Sequence, residues 1–264
     1  MTLSKLNLLN NTALSDQHTA FTSRYKASIA AVSPDTEREQ LGRYSRCFVG
    51  ISLDNQNFKD GRLQAIIDWV SERFDSCIFL VADYIHRHTL NIRNGFDSKT
   101  SEQKALTLGD AFIRTNALLF NNVINGCQFK PVRGSDIYRD SRVMGYHQDL
   151  LRLYNADATF KASIDNFANV FILRQKKNAD TETTKHHMHL SRSYILEELA
   201  YIAYMNNLGC RVLVYPGSIK VSEEISNGQH TNVPDVLKSS ITVGLKLKCR
   251  GKRQRPIPQE VLQF

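Results

Sequence analysis

Apolar positions along this chain follow two periods in turn. Leu63, Ile66, Ile67, Val70 and Phe74 recur at i, i+3, i+4, i+7 and i+11, so they share one stripe of a helix. A short apolar run, Cys47 to Ser52, precedes that helix, and a continuous one, Cys77 to Ala82, follows it between Asp75-Ser76 and Asp83. A continuous run of that length is the pattern of a parallel strand covered on both faces. The pattern further predicts helices over about 101–123, 149–154, 160–173 and 191–207, the last stopped at Gly209, which suits a left-handed cap. Strands are predicted at 130–132 and at Arg211 to Tyr215, where Pro216-Gly217 ends the run, and Thr181 to His189 reads as a polar loop. Strands and helices alternating at these lengths imply a single α/β, Rossmann-like domain with a mostly parallel, doubly wound sheet flanked by helices. The domain is expected over residues 45–245, behind a polar arm over 1–44 and ahead of a basic tail over 246–264.

Composition places the chain among ordinary globular proteins, with 42% hydrophobic and 23% charged residues and no apolar run near the ~18 residues of a membrane span. The first residues lack the charged start, apolar centre and small-residue cleavage site of a secretory signal, and the cytoplasm is the expected location. Five scattered cysteines, none in a Cys-x-x-Cys arrangement, argue against a disulfide framework and against a zinc site. The net charge of +8 suits a polyanionic partner or simple solubility, and part of the excess lies in one tail, Lys246 to Arg255.

In a doubly wound sheet, ligands bind outside the carboxyl ends of the strands. Ser52, Asp83 and Tyr215 fall at such ends, and Gly50, two residues before Ser52 on the same strand face, leaves space beside the serine. Spacing alone also fits Ser52 capping the turn that follows. On the helix after residue 191, Tyr194, Glu198, Tyr201 and Met205 share a stripe, so Glu198 and not Glu197 accompanies Tyr194. A carboxylate beside a phenol in a cleft holds an ammonium or relays protons, and the same pair also fits a solvated helix face. There is no Gly-x-Ser-x-Gly elbow, no phosphate-binding Gly-x-x-x-x-Gly-Lys, and no carboxylate at metal-ligand spacing from His186-His187-Met188-His189.

Together these residues resemble the tRNA-dependent cyclodipeptide synthases over about residues 46–220. That family ends its first strand in Gly-x-Ser-x-x-Asn, here Gly50-Ile51-Ser52-Leu53-Asp54-Asn55, and opens a later helix with Tyr-x-x-x-Glu, here Tyr194 to Glu198. A tyrosine followed by Pro or His ends a later strand, here Tyr215-Pro216, and weaker matches are Gly95, which by resemblance would bind substrate with Gly50 and Asn55, and Tyr146, which would join the catalytic residues. Asn55 is typical of one group of the family and Pro216 of the other. The resemblance implies a fold similar to the catalytic domain of class I tyrosyl- and tryptophanyl-tRNA synthetases, without ATP or metal. It assigns Ser52 as the nucleophile that takes the first aminoacyl group from its tRNA. Tyr194 and Glu198 would hold the aminoacyl ammonium, with Glu198 also shuttling protons. Reaction with a second aminoacyl-tRNA would give a dipeptidyl enzyme, and Tyr215 would assist its cyclisation to a diketopiperazine. Phe48, Phe79 and Leu213 are expected to line an apolar first pocket for a residue such as Leu, Phe or Met, and all three also fit a plain core. Lys99, Lys104, Arg114, Lys252 and Arg253 are the expected tRNA contacts. The protein is expected to be a monomer with no membrane and no obligate protein partner. The alternative function is a catalytically silent RNA-binding module of the same fold.

Overall fold

The computed structural model describes residues 24–174 and 180–250. One sheet organises the chain, built from β1 (Tyr25–Ser33), β2 (Arg46–Ile51), β3 (Ser76–Val81), β4 (Gln128–Arg133), β5 (Val212–Tyr215) and β6 (Ile241–Cys249) in the order β1-β6-β5-β2-β3-β4. Every pairing is parallel except that of β1 with β6. The chain passes outward from β2 through β3 to β4, then returns to lay β5 on the other side of β2. The strand order therefore reverses between β2 and β5, and the crevice beyond their carboxyl ends is where such a sheet binds ligands.

Helices cover both faces. On one face α1 (Asp60–Ser71), α3 (Ser98–Thr115) and α4 (Ala117–Phe120) pack over Val49, Phe79 and Val214. The stripe of Leu63, Ile66, Ile67 and Val70 is fully buried there, each side chain stabilising the fold by roughly 1.5–3 kcal/mol. On the other face α2 (Asp83–Asn94), α5 (Gly134–Ile137), α6 (Ser141–Ala156), α7 (Ala158–Arg174), α8 (Thr181–Asn207), α9 (Lys220–Ser226) and α10 (Asp235–Lys238) enclose a second core around Phe48, Leu80 and Leu213.

Three sequence expectations change. The stretch read as an N-terminal arm contains β1, which pairs with β6 from Tyr25↔Cys249 to Ser33↔Thr242. The same pairing places Lys246 and Lys248 of the expected tail in the sheet, while Lys252 and Arg253 lie outside the described residues. Thr181 to His189 is the start of α8 and not a loop: the Asp180 side chain accepts from Thr183 N–H as a cap, and His187 is buried.

Candidate active site

Ser52 follows the last residue of β2 and Tyr215 ends β5, so the reversal in strand order sets the two side by side. The Ser52 hydroxyl is 3.1 Å from Tyr215 Oη, and Asn55 Nδ2 donates to the same phenol oxygen at 3.2 Å. The turn after Ser52 closes on itself through Asn55 N–H to Ser52 O at 3.3 Å, and Asn57 ties it to β5 through Pro216 O, also at 3.3 Å. Phe58 packs tilted against the Tyr215 ring, with centroids 5.8 Å apart. Asn55 and Asn57 thus tie the turn after Ser52 to Tyr215 and Pro216.

Tyr194 and Glu198 come from α8. Both line a cavity of about 610 Å³ together with Ser52, Asn55 and Tyr215. Phe167 of α7 stacks over Tyr194 at 6.3 Å and fixes the ring. Burial raises the Glu198 carboxyl from 4.5 to about 7 and is the sole cause. Burial also pushes Tyr194 well above the usual tyrosine value, with the Glu198 and Tyr215 charges adding to the rise and Ser52 and Arg93 opposing it. Tyr215 is raised by burial too, against the hydrogen bonds from Ser52 and Asn55. Near neutral pH the site therefore holds two protonated phenols and one carboxyl poised to gain or lose a proton.

The helix period separates the two adjacent glutamates as expected. Glu197 turns toward α2, where Arg87 grips it with two hydrogen bonds of 2.8 and 2.9 Å and His88 Nε2 stands at 3.0 Å. Burial works to raise the Glu197 carboxyl, but the His88 hydrogen bond and the charges around it prevail and lower it. Its role is to join α8 to α2. Asp83 is likewise withdrawn from the crevice: it is fully buried and accepts from Arg133 Nε at 2.6 Å and from Ser135 N–H and Oγ at 2.8 Å.

Phe48, Gly50 and Leu213 line a second, narrow apolar pocket of about 20 Å³ with Leu80, Ile85 and Glu198. A Cβ at Gly50 would stand 3.7 Å from Leu213 Cδ1, so larger side chains would fill the pocket. Phe79, expected in this pocket, does not line it. The register Phe48↔Ile78 and Gly50↔Leu80 turns Phe79 to the opposite face, where it packs on Phe120 and Phe129, and Leu80 takes the expected place. Because β3 is apolar on both faces, its composition does not mark which side chains face the site. Tyr146 also departs from expectation: it packs against the second core from α6 and does not line the 610 Å³ cavity. Gly95 caps α2 with φ of +70° and does not line that cavity either. Lys99, Lys104 and Arg114 are exposed on α3, with Lys104 held over the Phe96 ring. Cavity-lining residues that the sequence patterns did not single out include Asp54, His86, Arg93, Phe167, Phe171 and Arg174. Among the described residues no cluster of three or more His, Cys, Asp or Glu side chains is placed to hold a metal ion, and no helix is long and apolar enough to cross a membrane.

The fold is that of the class I tRNA synthetase catalytic domain: the tyrosyl-tRNA synthetase of Archaeoglobus fulgidus superposes with a TM-score of 0.50 at 17% identity, over 82% of this chain and 60% of that one. Residues 32–234 match the family described as "Cyclodipeptide synthase". The chain belongs to that family, and it is accordingly an aminoacyltransferase that makes cyclodipeptides from aminoacyl-tRNAs. Similar solved structures include a cyclodipeptide synthase from Fluoribacter dumoffii (22% identity, TM-score 0.70, 85% of this chain and 99% of that one). Another, from Candidatus Glomeribacter gigasporarum and bound to Phe-tRNAPhe, matches at 17% identity and a TM-score of 0.59 over 83% of this chain and 93% of that one. A search of curated protein sequences gives no match.

Proposed function

We propose that the protein builds its cyclodipeptide by ping-pong acyl transfer through Ser52. The observation that carries this reading is the contact of Ser52 Oγ with Tyr215 Oη at the strand-order reversal, in a cavity shared with a carboxyl near neutrality. An aminoacyl ester is already activated, so the enzyme's task is positioning and proton transfer rather than ATP or metal chemistry. Ser52 Oγ attacks the ester carbonyl of the first aminoacyl-tRNA, the ribose oxygen leaves, and the serine proton passes to it through the hydroxyl network. The α-amine of the serine-bound residue then attacks the second aminoacyl-tRNA and releases its tRNA, leaving a dipeptidyl ester on Ser52. The new terminal amine finally attacks that ester, closing the ring and freeing the serine.

An amine must shed a proton before it attacks. Glu198, with its carboxyl near 7, holds the incoming ammonium with Tyr194 and takes that proton at the operating pH. Tyr215 returns a proton to Ser52 Oγ as the ring closes. Phe48, Leu80 and Leu213 suit an apolar first residue such as Leu, Phe or Met, but about 20 Å³ admits little beyond a single water-sized group. A side chain of that size enters only with rotation of Phe48 or its neighbours. The exposed Lys99, Lys104 and Arg114 supply sequence-independent phosphate contacts to tRNA. The protein acts in the cytoplasm as a monomer.

Expression in bacteria followed by mass spectrometry of the medium tests the assignment. A diketopiperazine mass that depends on Ser52 and Glu198 is expected. Silence across all diketopiperazine masses with retained tRNA binding would favour a catalytically inactive tRNA-binding module.

A further inference from the structure

Asp54, two residues after Ser52, has φ of +67°, a conformation that non-glycine residues rarely keep unless their surroundings hold them there. On one side the turn is tied to β5 through Asn55 and Asn57. On the other, the Asp54 carboxylate meets α2: its Oδ2 is 3.1 Å from His86 Nε2 and 4.0 Å from Arg93 Nη1. His86 and Arg93 are seven residues apart and both line the cavity, so one face of α2 grips the turn. His86 is nearly fully buried at 4% exposure, whereas the Asp54 side chain is 44% exposed. The helix making the grip is itself fixed, because Asp83 at its first residue is locked by Arg133 and Ser135.

We propose that His86 is a positioning residue for acyl transfer: it holds Asp54 in the left-handed conformation and so aims the Ser52 hydroxyl at the cavity. A carboxylate only accepts, so His86 Nε2 carries the proton and donates it in the bond. Burial lowers the His86 pKa while Asp54 opposes that, in keeping with a neutral imidazole as the donor. Without the bond, Asp54 relaxes toward negative φ and the turn rotates about its Asn55 tether, carrying Ser52 with it. The inference rests on Ser52 as the nucleophile.

Three variants separate the grip from bulk stability. His86→Leu removes the donor and keeps an apolar filling. His86→Gln places an amide N–H near the position of Nε2. Asp54→Ala removes the carboxylate and makes positive φ costly. The readouts are the single-turnover transfer of labelled aminoacyl groups from tRNA to protein, the Kd for aminoacyl-tRNA, and the Tm. His86→Leu and Asp54→Ala are each expected to slow transfer by about 100-fold at little-changed Kd, as for a nucleophile misplaced by about 1 Å. The double variant should be no slower than either single one, and His86→Gln should recover most of the rate. Wild-type transfer in Asp54→Ala, or a fall in Tm with an unchanged rate in His86→Leu, overturns the proposal. Label persisting on Ser52→Ala removes the nucleophile and the grip together. Label lost from Ser52→Ala, with wild-type rates in both His86→Leu and Asp54→Ala, overturns the grip alone.

Discussion

Replacing Glu198 by Gln should change how stability depends on pH. Burial raises the carboxyl from 4.5 to about 7, which at about 1.4 kcal/mol per pH unit corresponds to about 3 kcal/mol. Unfolded chains ionise this side chain near 4.5 and folded chains near 7, so between those values the folded protein holds the extra proton. Rising pH therefore withdraws stability through that window, and the loss is complete above the folded value. Gln has the shape of the protonated form and no proton to lose. Glu198→Gln should gain about 3 kcal/mol relative to the wild type between pH 4.5 and pH 8, since all other titrations are common to both proteins. Urea unfolding at the two pH values measures the difference. Parallel pH dependences for the two proteins would refute the claim that burial, uncompensated by a partner, sets the state of Glu198. The variant should also lose turnover by about 10²–10⁴-fold, the usual contribution of a positioned proton carrier.

Tyr215→Phe deletes the oxygen that meets both Ser52 and Asn55, and cyclodipeptide formation should fall by about 100-fold or more while the variant stays folded, as product quantification and Tm would report. Phe48→Ala opens the narrow pocket, so the product spectrum in the medium should shift toward bulkier first residues, at a cost of about 3–5 kcal/mol in unfolding free energy. Glu197→Ala removes the carboxylate that Arg87 and His88 share and should destabilise the fold by about 3 kcal/mol, with activity per folded molecule much less affected than in Glu198→Gln.

The parts of the site that lie on single elements were legible in the sequence. Gly50 to Asn55 is one strand end and turn, and the helix period assigns Glu198 to the cavity and Glu197 elsewhere. What depends on partners was not. β1 is a nine-residue strand whose pairing with β6 spans almost the whole chain, and no local pattern announces that partner. Phe79 and Leu80 are equally apolar, and only the register with β2 decides which faces the site. The first turns of α8 are polar, and their helical state follows from the Asp180 cap and from burial of His187 and Ser191. His86 sits on a helix that periodicity did not mark, opposite an aspartate whose carboxylate meets it. That juxtaposition exists only in three dimensions.

Acyl transfer through Ser52 is decided by the site of the covalent intermediate. The protein is incubated briefly with a single labelled aminoacyl-tRNA and quenched in acid, and its peptides are mapped by mass spectrometry. An aminoacyl ester on the peptide containing Ser52, absent from Ser52→Ala, is the predicted result. Label on another residue, or undiminished cyclodipeptide from Ser52→Ala, would contradict it.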